Sequence, residues 1–136
     1  MNSLSGHIIS IEAHGSVAIV DVAVATHRFT ATLLGSAEQL ASWKNGQSVR
    51  LLFKETEVAL AKNLSGQISL RNRFPGSVTK IEIGQVLTRV IINMNNFEIS
   101  SVITSRSARG LQLALGDQVE GLVKSNEMSL LALGGE

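Results

Sequence analysis

GHIISIEAHGSVAIVDVAVATHRFTATL, residues 6–33, and GSVTKIEIGQVLTRVIINMNNFEISSVI, residues 76–103, are two versions of one pattern. Each opens on a glycine and passes through β-branched residues to Ile-Glu (Ile11 and Glu12; Ile81 and Glu82). Each then runs through Gly15 or Gly84 to Val17 or Val86. A phenylalanine follows in each, Phe29 and Phe97. The match is tightest at the close, where Gly46, Val49, Lys54, Glu57 and Leu60 return seventy residues later as Gly116, Val119, Lys124, Glu127 and Leu130. Five matches in one fixed frame mark a duplication, which sets the domain count before any finer reading. On the phenylalanine alignment the copies differ by two residues between Phe and the closing segment. That places the length change in the one stretch that does not alternate, where insertions are tolerated. The repeats divide the chain into residues 1–66 and 67–136.

Within each copy, Val, Ile and Thr alternate over short runs separated by turn residues, the signature of half-buried strands. The exceptions are GSAEQLASW (35–43) and TSRSARGLQLA (104–114), whose apolar residues fall at helical offsets before a Gly turn, and each predicts one short helix. About five short strands and one helix in some 60 residues fit a small Greek-key barrel of the OB type, a closed form that hides its strand edges. The expected fold is all-β, two tandem OB-like barrels, each with one short helix. In the closing strands, alternation sends Val49, Leu51 and Phe53, and likewise Val119, Gly121 and Val123, to the core. Leu52 and Leu122 then point outward, a hint of a second buried face on oligomerisation.

The 136 residues carry net charge +1, with 44% hydrophobic and 17% charged side chains and no cysteine. This is a folded, globular balance with no basic track for nucleic acid and no thiolate chemistry. No apolar run approaches the ~18 residues of a membrane span, and MNSLSGHIIS is unlike a signal peptide. A cytoplasmic protein is expected. His7, His14 and His27 have no ligand spacing, so no metal site is expected. Gly134 and Gly135 form a tail too short to cradle phosphate, and no Walker loop occurs.

Functional residues should lie where one repeat departs from the other, since shared positions are explained by the shared fold. Three departures converge. ISLRNRFPG places Ser69, Arg71 and Asn72 before the second copy, whereas MNSLSG before the first has no arginine. At the helix start the second copy has Thr104, Ser105 and Ser107, and the first has Leu34, Gly35 and Ser36 followed by Glu38. Unpaired N–H groups and partial positive charge at a helix start favour an anion, and Glu38 would occupy that end itself. Finally, Lys124 is followed by Ser125, whereas Lys54 is followed by Glu55, which opposes an anion. Two fixed cations, Arg71 and Lys124, with hydroxyl donors and no carboxylate acceptor, suit a fully deprotonated tetrahedral dianion: sulfate, molybdate or tungstate.

The SLRN at Ser69 to Asn72, the ITSRS at Ile103 to Ser107 and the VKS at Val123 to Ser125 resemble the SARN, TxxS and KA/KS elements of the Mop or molbindin family, here in tandem (di-Mop, TOBE-like) form. The resemblance is strong over the second repeat and its leading linker, with Leu70 in place of the usual Ala, and covers the first repeat by general pattern. It implies a molybdate or tungstate ligand held by Ser69, Arg71, Asn72, Thr104, Ser107, Lys124 and Ser125. It further implies a homo-oligomer (dimer or trimer), oxyanion storage, homeostasis or sensing, and no catalysis or cofactor. Two other classes compete. An OB-type module for single-stranded nucleic acid would use stacked aromatics on a basic groove, and four Phe, one Trp and no Tyr at near-neutral charge disfavour it. An assembly module without a ligand is the other.

Overall fold

The structure, a computed structural model, describes residues 1–133, so the Gly134-Gly135 tail lies outside the described residues. The first repeat forms β1 (Asn2–His14), β2 (Val17–Val24), β3 (His27–Leu34), α1 (Ala37–Ala41), β4 (Ser48–Phe53), a 3-10 turn (Glu55–Glu57) and β5 (Ala59–Ala61). The second repeats the order as β6 (Asn72–Ile83), β7 (Leu87–Met94), β8 (Phe97–Thr104), α2 (Ser105–Gly110), β9 (Gln118–Val123), a 3-10 turn (Ser125–Glu127) and β10 (Ser129–Ala132). Both expected helices are present, capped by the side chains of Ser36 and Thr104. All strands pair antiparallel in two five-stranded sheets.

The compact units are drawn across the repeats, not along them. One sheet has the order β10-β4-β1-β2-β3 and the other β5-β9-β6-β7-β8, so each takes its fifth strand from the other repeat. The first barrel is Ser3–Phe53 with the chain from Lys124 onward, and the second is Met1–Asn2 with Lys54–Val123. The repeat boundary expected at 66/67 therefore does not separate the two units. Both closing segments bring a core side chain with them. Val58 (1% exposed) is buried in the second unit and Met128 (2%) in the first.

Strand alternation fixes the interior. In the first barrel Ala18, Val20, Val22 and Val24 on β2 face inward with Phe29, Val49, Leu51 and Phe53. In the second, Phe74, Val90, Ile92, Met94, Ile99 and Val123 do so. The length change expected after Phe97 is absent: β3 and β8 begin at His27 and Phe97, and β4 and β9 at Ser48 and Gln118, the same interval in both copies. The equivalent of Phe29, which lies opposite Val22, is Ile99, opposite Ile92; Phe97 lies opposite Met94 at the strand's start. Register, not residue type, defines the correspondence. The β7–β8 hairpin is closed by Asn95 and Asn96, both at positive φ (50° and 73°), a conformation asparagine tolerates in tight turns.

Of the two leucines expected to point outward, Leu52 is half-buried and Leu122 is buried at 8% exposure. Leu122 lies between Ala59 on β5 and Arg73 on β6, and the Arg73 guanidinium is pinned to Glu120, so its neighbours in the sheet cover it. Gly6 and Gly76 hold equivalent places, where a Cβ would collide with the backbone carbonyl of Ala23 or Asn93 on the adjacent strand. A register shift follows in each strand, between Ile8 and Ser10 and between Val78 and Lys80.

On the first barrel, Asp21 accepts hydrogen bonds from Ser10 Oγ (2.9 Å), Arg28 Nη2 (2.7 Å) and Thr30 Oγ1 (2.7 Å). Burial alone would raise its pKa, but Thr30, Arg28 and Ser10 together outweigh burial and hold it below the ordinary value. A carboxyl whose folded pKa is depressed stabilises the fold above its unfolded pKa, and that contribution disappears as pH falls through the folded one. Asp21→Asn should therefore melt below the parent near neutrality, and the gap should close on acidification below about pH 4, as read by thermal melts across pH.

Candidate functional site

The leading strand of the second barrel sets the first part of the site. Asn72 is fully buried at the start of β6, opposite Val123; Phe74 is buried two residues on, and Arg73 between them turns outward to a bidentate pair with Glu120 at 2.7 and 2.6 Å. Ser69 and Arg71 precede the strand and are exposed. Among the described residues Arg71 has no hydrogen bond or ion pair. Asn72, expected as an ion contact, is enclosed by protein and engaged there.

The second part is the start of α2. Thr104 Oγ1 accepts from the Ser107 backbone N–H at 3.0 Å and donates to Ser107 Oγ at 2.8 Å, so these two exposed hydroxyls are brought together as expected. Ser105, between them, is buried and fastens the helix to the β6–β7 hairpin. Its Oγ donates to Gly84 O at 2.7 Å and shares a hydrogen bond with Thr88 Oγ1 at 2.8 Å, and its N–H donates to Val86 O at 2.7 Å. Beside Thr104, a cavity of about 370 Å³ is lined by Gln85, Val86, Thr104, Arg106 and Arg109. Neither arginine has a carboxylate partner among the described residues, whereas Arg28, Arg73, Arg89 and Lys62 all do. Arg106 and Arg109 were not among the expected site residues, although their counterparts at the seventy-residue spacing, Ser36 and Gln39, are neutral.

The third part belongs to the first barrel. Lys124 is exposed, with no partner for its ammonium among the described residues, and leads into the 3-10 turn, its carbonyl accepting from Glu127 N–H at 2.9 Å. Ser125 Oγ lies 2.9 Å from Thr32 Oγ1. The first barrel also has a cavity of about 940 Å³ whose lining includes Leu34, Leu40, Trp43, Met128 and Leu130. Among the described residues no cationic side chain lines it, so they offer nothing to balance a dianion. No group of three or more His, Asp or Glu able to hold a metal ion occurs among the described residues. Of the seven expected site residues, Ser69, Arg71, Asn72, Thr104 and Ser107 lie in the second barrel, and Lys124 and Ser125 in the first.

The TOBE domain family matches residues 1–60 and again 68–130, one match per repeat. The chain belongs to the TOBE domain family. Among relatives of this TOBE protein, the molybdenum transport protein ModE of Azotobacter vinelandii is 42% identical over 72 residues, covering 52% of this chain and 27% of ModE. The molybdenum import ATP-binding protein ModC of Brucella abortus is 33% identical over 102 residues, covering 73% of this chain and 28% of ModC. The TOBE chain thus spans about a quarter of the length of these relatives. A crystal structure of the cytoplasmic molybdate-binding protein ModG, with molybdate bound, superposes with a TM-score of 0.89 at 25% identity, covering 96% of this chain and 95% of that one. The tandem OB-like TOBE fold is therefore shared along nearly the whole chain. No helix among the described residues is long and apolar enough to cross a membrane.

Proposed function

We propose that this protein binds molybdate, and tungstate equally well, as a cytoplasmic storage, homeostasis or sensing protein that does no chemistry on the ion. The observation that carries the reading is the end-to-end structural match to molybdate-bound ModG. The unpaired cations Arg71 and Lys124 and the hydroxyl pair Thr104–Ser107 supply the chemistry it requires. A dianion removed from water must meet charge-assisted donors on every side, and these residues are donors without an intervening carboxylate. Arg71 and Lys124 flank the paired residues Asn72 and Val123, so one chain brings the two cations to the same end of the β6–β9 ladder. We assign completion of the cage to association of copies, in which Arg71 of one chain reaches an ion held beside Lys124 of another. Binding is then linked to assembly.

Calorimetric titration of the full chain with molybdate, tungstate and sulfate tests this. Molybdate and tungstate should bind with affinities within a few-fold of each other and sulfate much more weakly. Absence of heat with all three would discard the oxyanion reading, and equal affinity for sulfate would remove the assignment to metal oxyanions.

A further inference from the structure

The second barrel contains its own copy of the turn that carries Lys124, with a carboxylate added after the lysine. Lys54 and Lys124 share a backbone conformation (φ −76°, ψ 147° against φ −70°, ψ 143°). The turns that follow are closed by the same bonds, Glu57 N–H to Lys54 O and Glu127 N–H to Lys124 O, both at 2.9 Å. The next side chain differs. Ser125 meets the Thr32 hydroxyl, whereas Glu55 accepts from Arg89 Nε at 3.2 Å, and Arg89 is braced from its other side by Glu82 at 2.9 Å.

More of the surroundings are arranged for an anion. The Ser100 hydroxyl is buried and closes no hydrogen bond of good geometry, yet it is near enough to the Glu55 carboxylate to be the largest influence, ahead of Arg89, holding that carboxyl below its usual pKa. Asn2 fixes the Ser100 backbone, its Nδ2 donating to Ser100 O and its Oδ1 accepting from Ser100 N–H, both at 2.8 Å. Asn2 stands seventy residues before Asn72, so the framework asparagine is kept in both copies. A guanidinium fixed at anionic oxygen is what an oxyanion site offers, and here the protein's own carboxylate takes the place.

We propose that Glu55 is a resident anion that closes the Lys54 copy of the oxyanion turn, so that the chain binds oxyanion through the Lys124 copy alone. This rests on the oxyanion reading above. Glu55→Ser, which installs the residue of the sister turn, removes the carboxylate next to Lys54, frees one side of Arg89 and should open a second site. That site should be about tenfold weaker or more, because Leu34 and Ala37 supply no hydroxyl in place of Thr104 and Ser107.

Equilibrium dialysis of the full chain against molybdate, with molybdenum counted by mass spectrometry, decides the matter. The parent should saturate as a single class of site. Glu55→Ser and Glu55→Ala, each checked for fold by circular dichroism, should add a second, weaker class, which Arg89→Gln in the Glu55→Ser background should remove. Two classes already present in the parent, or unchanged stoichiometry in the folded variants, would overturn the proposal and leave the oxyanion reading standing. A parent that binds no molybdate would overturn both.

Discussion

Arg71→Ala should lower molybdate affinity by at least about tenfold, and Lys124→Ala should do the same, while the melting temperature of each variant stays near that of the parent. Both side chains are exposed and make no internal ion pair or hydrogen bond among the described residues, so removal leaves no buried group unsatisfied and the fold loses little. Each would supply a charge-assisted donor to the dianion, and loss of one such partner from an otherwise dry cage is worth about 1.5–3 kcal/mol, roughly ten- to a hundredfold in affinity. Arg71→Lys should recover only part of the loss, because an ammonium cannot reproduce the planar fork of a guanidinium. Calorimetry on the three variants provides the measurement. Affinities within a factor of two of the parent would show that the ion is held elsewhere, with the cavity bearing Arg106 and Arg109 the next place to look.

The second large effect concerns the strand exchange. A fragment ending at residue 66 keeps β1 to β5 but lacks β10, which pairs with β4 from Ser129 opposite Leu52 to Ala132 opposite Val49. It also lacks Met128, buried in the first barrel. Loss of one core side chain of that size costs about 2–5 kcal/mol, and an open β4 edge adds unpaired backbone groups. The isolated fragment should therefore fold only by pairing with a second copy, each lending its β5 to the other's β4 edge, since β5 and β10 are sister segments. Sedimentation and thermal melts over a range of concentrations should show a dimer whose melting temperature rises with concentration. A monomer melting with the full chain would mean that β10 is dispensable.

Much of this was legible in the sequence because alternation reports which side chains face inward. Val49, Leu51 and Phe53 were assigned to the core from periodicity alone, and both helices from apolar residues at helical offsets before a Gly turn. Periodicity does not say which strand a segment pairs with. β5 and β10 are sister segments, and the exchange appears only once register is known. The length change inferred from Phe97 failed for a related reason: matching by residue type overrode the constant seventy-residue spacing on which Phe29 and Ile99 are equivalent. In the candidate site, unpaired cations and hydroxyls were visible because charge is visible. The enclosure of Asn72 was not, since a polar residue at a strand start looks the same whether it faces water or protein. The recurrence of asparagine at position 2 was the available clue. Glu55 was recognised as hostile to an anion, but its partner Arg89 lies thirty-four residues away and is brought to it only by the barrel.

The exchange of closing strands also bears on the segment between the repeats, Lys62 to Arg71. Because each barrel is completed by a strand from the other repeat, covalent continuity through this segment is not what holds the protein together. A protease that nicked it would leave two polypeptides interlocked by β-sheet pairing, parting only when a barrel opens. On a denaturing gel the chain would appear cut, and by gel filtration it would still elute whole.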